Sequence, residues 1–124
     1  MILYPVVFLI KFHGNTNLDS LFYNCQNIKS IQAGSKLPNA NSILNLNSMF
    51  YNCVNLNSIP SDFFNLFFAG QININNCFNN CISLTTNMPS NFLWGNLNIS
   101  WTTINTFKNA INISNYSEIP SGWK

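Results

Sequence analysis

The side chains able to do chemistry are few. The chain has four cysteines, one histidine and three acids: Cys25, Cys53, Cys77, Cys81, His13, Asp19, Asp62 and Glu118. A structural zinc site brings paired Cys or His at short spacing from two segments. Only Cys77 and Cys81 are close, at i, i+4, and no second pair matches them. A general base needs an orienting partner and a substrate within hydrogen-bond reach. His13 follows an apolar stretch, sits beside Gly14 and has no acid near it. No Gly-rich phosphate loop is present. The expectation is therefore no catalytic residue, no metal, no cofactor and no enzyme. Asn-x-Ser sequons fall at Asn98, Asn112 and Asn115, but a chain this rich in asparagine produces several by chance, so they do not indicate glycosylation.

The cysteines follow a repeat. Phenylalanines fall at Phe22, Phe50, Phe78 and Phe107, in steps of 28, 28 and 29 residues. Cys25, Cys53, Cys81 and Ala110 keep those steps, and so do Asn24, Asn52, Asn80 and Asn109. A fixed period of this length marks a stacked repeat array. Cys25, Cys53 and Cys81 then share one core-facing column, while Cys77 fills a slot held elsewhere by Leu21 and Met49. The expectation is core packing, since a buried free cysteine behaves as a small hydrophobe. The asparagine column is expected to form a ladder, each amide bonding backbone exposed where the chain turns.

Composition bounds the partners. Of 124 residues, 47% are hydrophobic and 6% charged, with net charge +2 and no arginine. Asparagine, at 25 copies, does most of the solvating. Five scattered lysines give no clustered basic footprint, so nucleic acid is excluded as a partner. The N-terminal run MILYPVVFLIKF is too short to span a bilayer, which takes about 20 apolar residues. It also lacks a basic start and a small-residue cleavage site. It is expected to be a strand or cap over one end of the array, and no transmembrane segment is expected.

Within each repeat, the first half has helical spacing. Leu46, Met49, Phe50 and Cys53 sit at i, i+3, i+4 and i+7, matched by Leu18, Leu21, Phe22 and Cys25, and by Ile74, Cys77, Phe78 and Cys81. Asn45 or Asn47 could cap the start. Asn52 and Asn55 suit the exit, because asparagine tolerates left-handed backbone. The second half, Ile28–Ile31, Leu56–Ile59 and Leu84–Met88, reads as a brief strand. Pro-Ser pairs at 60, 89 and 120 then turn the chain, each followed by Phe63, Phe92 or Trp123. The links beyond carry Phe64, Leu66, Phe67 and Phe68, then Leu93, Trp94, Leu97 and Trp101, expected to fill the convex side. The fold class expected is an α/β solenoid: a right-handed, leucine-rich-repeat-like array of one short helix and one short parallel strand per repeat. Residues 1–17 form an N-terminal cap or truncated repeat. The repeats are 18–45, 46–73 and 74–102. Residues 103–124 form a degenerate capping repeat, in which Thr103 and Thr106 replace apolar residues.

The words MFYNC-x-N-L-x-S-IP resemble the short repeats of BspA-like leucine-rich-repeat surface proteins, over Leu18 to about Pro120. That resemblance implies a cell-surface or extracellular protein of bacterial or phage origin that adheres or binds rather than catalyses.

What remains for function is surface. Strand positions pointing outward form the usual binding face of a solenoid. The candidates are Lys29 and Ser30, Asn57 and Ser58, and Thr85 and Thr86, with Tyr23 and Tyr51 flanking the seam. Amides, hydroxyls and tyrosines suit contact with protein or carbohydrate. The alternative is a structural spacer or assembly segment of a larger surface or tail-fibre protein, with no ligand of its own. Exposed ends on a low-charge array would also allow self-association.

Overall fold

The computed structural model of the chain describes residues 6–8, 17–35, 37, 43–64, 71–89, 93–94 and 101–124. His13, Asn98, Leu66, Phe67, Phe68, Phe92 and Leu97 lie outside the described residues.

The helix expected in each first half is not there; among the described residues there is no α-helix. Each segment is instead a block of overlapping tight turns. In the first block, the N–H groups of Leu21, Tyr23 and Cys25 donate three residues back, to Leu18, Ser20 and Phe22. The alternate N–H groups, of Leu18, Ser20, Phe22 and Asn24, face away. They donate to the carbonyls of Asn45, Asn47, Met49 and Tyr51 in the next block, at 2.7–2.9 Å. The second block repeats the pattern: Leu46, Ser48, Phe50 and Asn52 donate to Asn73, Asn75, Cys77 and Asn79. In the third, Ile74, Asn76, Phe78 and Asn80 donate to Thr102, Ile104, Thr106 and Lys108.

The cause is local chemistry. Ser20, Asn24, Ser48, Asn52, Asn76, Asn80, Asn105 and Asn109 all have φ between 54° and 65°. Left-handed backbone at every fourth residue is incompatible with a continuing α-helix. The residues there, Ser and Asn, are weak helix formers that favour turns. A block this short would also be marginal as a helix. The helical spacing nevertheless identified a buried set: Leu46, Met49, Phe50 and Cys53 are all 1% exposed or less, as are Ile74, Cys77, Phe78 and Cys81. In the first block only Leu18 is fully buried, and Leu21 is 47% exposed.

Two columns of parallel backbone flank the blocks. β1 (Val6–Phe8) pairs with β2 (Ile28–Ile31), and single bonds carry the column onward through Ser58 to Thr85 and Ser114. Of the second-half strands expected, Ile28–Ile31 forms as β2. Leu56–Ile59 keeps one bridge, Ser30 to Ser58, and Leu84–Met88 forms neither strand nor bridge. The other column enters each block. β3 (Ile43–Asn45) pairs with β4 (Gln71–Asn73), extended by bridges from Asn17 to Asn45 and from Asn73 to Thr102. Here Asn17, Asn45 and Asn73 turn the chain: each Oδ1 accepts from the N–H two residues on, at 3.0–3.2 Å.

The core is an aromatic stack. Phe22, Phe50, Phe78 and Phe107 lie face to face with centroids 5.4–5.5 Å apart and planes within 12°. Phe63, Phe64 and Trp94 close its side at steeper angles. Trp123 ends it, stacking on Phe107 at 6.3 Å and 11°, while its carbonyl accepts the Phe107 N–H at 2.8 Å.

Position along the stack sets the cost of losing a ring. Phe50→Ala removes a wholly buried ring with a neighbour on each face and is expected to cost about 3–5 kcal/mol. Phe22→Ala, which removes a ring only half-buried, is expected to cost clearly less. Urea unfolding of both variants decides it: equal losses would mean that the stack is not the core's organising feature.

Candidate functional site

The outward residues of the second-half column stand in line. Lys29, Asn57 and Thr85 are all exposed. Their backbones are tied directly, Asn57 N–H to the Lys29 carbonyl at 2.8 Å and Thr85 N–H to the Asn57 carbonyl at 3.1 Å. Ser114, which the sequence reading missed, extends the row by donating its N–H to the Thr85 carbonyl at 3.1 Å. The signal was present, since Ser114 lies 29 residues beyond Thr85, the same step that separates Phe78 from Phe107. Ser30, Ser58 and Thr86 form a second, half-buried row. Here the threonines are partly committed to structure: the Thr85 hydroxyl donates to the Asn57 carbonyl at 3.1 Å, and Thr86 Oγ1 accepts from the Ile59 N–H at 3.0 Å. Lys29 and Asn57 are the freer pair.

Tyr23 and Tyr51 lie in the turn blocks, away from this strand column. They stack on each other at 5.0 Å with planes 6° apart, and Tyr23 is 51% exposed. The pair does not continue: Asn79 and then Lys108 take the equivalent positions. The structure thus holds two separate features, a polar row and a two-ring patch.

The asparagine column differs from the ladder expected. Its amides bond one another, not the backbone: Asn52 Nδ2–H donates to Asn24 Oδ1, and Asn80 Nδ2–H donates to Asn52 Oδ1 at 2.6 Å. Backbone latching falls to a different asparagine. Asn55 Nδ2–H donates to the Gln26 carbonyl at 2.6 Å, and Asn112 Nδ2–H to the Ile82 carbonyl at 2.7 Å. Asn115 is buried, its amide accepting from and donating to the Met88 backbone at 2.8 Å. A buried amide so engaged is no glycan acceptor.

All four cysteines are free thiols. Burial pushes the Cys53 thiol up from 9.0 to about 12, and likewise raises Cys77 and Cys81. Such groups are poor nucleophiles, because the thiolate is the reactive form. They are more than apolar filler, however. Cys53 S–H donates to the Phe22 carbonyl and Cys81 S–H to the Phe50 carbonyl, both at 3.1 Å. Each supplies a second bond to a carbonyl already accepting within its own block. Thr106 does comparable work beside the column, its hydroxyl donating to the Ile74 carbonyl at 3.1 Å. Among the described residues, no three His, Cys, Asp or Glu side chains gather as a metal would need.

No family model matches the chain, and no curated protein or solved structure matches it either.

Two outcomes test this account of the columns. Asn52→Ala must hold left-handed backbone with a Cβ and without the amide bonds, whereas Asn52→Gly loses only the bonds. Alanine is expected to be the more damaging by roughly 1 kcal/mol in thermal or urea unfolding; parity would remove backbone conformation as the reason for asparagine there. With a thiol reagent at neutral pH, half-exposed Cys25 is expected to label first, and Cys53, Cys77 and Cys81 only as fast as the chain unfolds. Rapid native labelling of Cys53, followed by mass spectrometry, would contradict its burial.

Proposed function

We propose that the chain is a non-enzymatic binding module that contacts protein or glycan through the row Lys29, Asn57, Thr85. The observation that carries this reading is the row itself. Three exposed polar side chains are held at the spacing of successive rungs by backbone bonds of 2.8 and 3.1 Å. A ligand meeting that face finds the backbones that carry these groups already fixed at rung spacing, which confines the ordering cost of binding to the side chains. The row carries one charge, Lys29, among neutral amide and hydroxyl groups. That chemistry favours neutral polar partners over phosphate-rich ones. The repeat coil proposed for the chain is a solenoid, with this column as its presented face. The resemblance to BspA-like surface proteins supports an extracellular or cell-surface setting. No helix among the described residues is long and apolar enough to cross a membrane.

The test is a glycan array and a surface-protein panel probed with the intact chain, then with the triple variant Lys29→Ala, Asn57→Ala, Thr85→Ala. At least tenfold weaker binding, with melting temperature unchanged, is expected. Undiminished binding by a folded triple variant would move the site elsewhere.

A further inference from the structure

The two ends of the stack differ in hydrogen-bonding capacity. N–H groups of each turn block donate to carbonyls of the next, so the bonds all run one way. The last block therefore has donors left over, and its central one, Phe107 N–H, is taken by the Trp123 carbonyl while the Trp123 ring covers the last phenylalanine. The first block has acceptors left over. The carbonyls of Asn47, Met49 and Tyr51 each receive a bond from the block before. Their equivalents, the carbonyls of Asp19, Leu21 and Tyr23, receive none among the described residues. Several residues of this end are also open to solvent: Leu21 is 47% and Tyr23 51% exposed, Asn24 is exposed, and an open hollow runs from Leu21 past Cys25 to Ile28.

The geometry points to this end as a docking surface for a turn block of the same repeat type on a partner chain, added as one more rung. The occupant is specified by its chemistry. It must offer alternate backbone N–H groups to the carbonyls of Asp19, Leu21 and Tyr23. It must also carry an amide oxygen for Asn24, whose own Oδ1 is already taken by Asn52. Addition of backbone to an open edge is a general recognition mode. A second copy of this chain does not fit. Head to head, two such ends would set carbonyls against carbonyls; head to tail, the approaching end carries Trp123 over its central donor. The self-association expected from low surface charge thus lacks matching ends. This inference is independent of the Lys29 row, which lies on another column.

The probe is a synthetic peptide with the sequence of Asn45–Pro60, titrated calorimetrically into the intact chain under reducing conditions. In the repeat register, its Ser48, Phe50 and Asn52 N–H groups would meet the carbonyls of Asp19, Leu21 and Tyr23. One peptide per chain is expected to bind. N-methylation of the peptide at those three nitrogens is expected to weaken binding at least tenfold, and Tyr23→Ser in the chain to weaken it too, while leaving capture through Lys29, Asn57 and Thr85 intact. The proposal is overturned by no saturable binding up to about 1 mM, by equal binding of the methylated peptide, or by sedimentation showing that the chain pairs with itself through this end.

Discussion

Left-handed backbone at two positions in each turn block is the constraint on which the rest depends. At Ser48 and Asn52, φ is 55° and 59°, and the same pair recurs in every block. These reversals send alternate N–H groups in opposite directions. Half close turns within the block, and half reach the neighbouring block. Once that alternation is set, the blocks must stack at one fixed spacing. The phenylalanines are then brought to 5.4–5.5 Å, a favourable separation for offset aromatic pairs. The aromatic core follows from the backbone, and the backbone follows from residues that tolerate positive φ. Asparagine tolerates it at modest cost, whereas most residues with a Cβ lose about 1–2 kcal/mol there.

The same alternation explains the chain's composition. Buried backbone polar groups must be paired. A stack with no α-helix among its described residues and only three- or four-residue strands leaves many such groups to side chains. Asn17, Asn45 and Asn73 bond the turn entrances; Asn55, Asn112 and Asn115 latch onto carbonyls of the rung before. A short amide both donates and accepts, so one residue type serves every one of these places. That accounts for a chain with 25 asparagines and 6% charged residues that still has somewhere to put its polar groups.

Side chains were more legible in the sequence than backbone. The spacing of Leu46, Met49, Phe50 and Cys53 told which residues share a face, and all four are buried. It could not tell how that face is made, because i, i+3, i+4 and i+7 constrain side-chain direction and say nothing about where N–H groups point. The asparagines held the missing information. Asn52 was read as suited to left-handed backbone and Asn45 as a cap, and both do that work, but for turns and not for helix ends. β3 and β4 were missed because three residues carry too little alternation to separate from a link. The row Lys29, Asn57, Thr85 was legible from the period alone; its extension to Ser114 was obscured by the irregular last repeat.

The cysteine column shows how a repeat can select a residue usually chosen for reactivity. Valine would fill a similar volume but could not donate, and serine would donate but bring a stronger desolvation cost into a dry column. A thiol is small, nearly apolar and a weak donor. At Cys53 and Cys81 it reaches the carbonyl of the phenylalanine one rung back, at 3.1 Å in both cases. Cys25, half-exposed in the first block, donates to no such carbonyl among the described residues. Ala110 closes the column from the other side, where Trp123 has already ended the stack. Cys53 and Cys81, buried and bonded, therefore mark the interior of the column, whose character changes at half-exposed Cys25 and at Ala110.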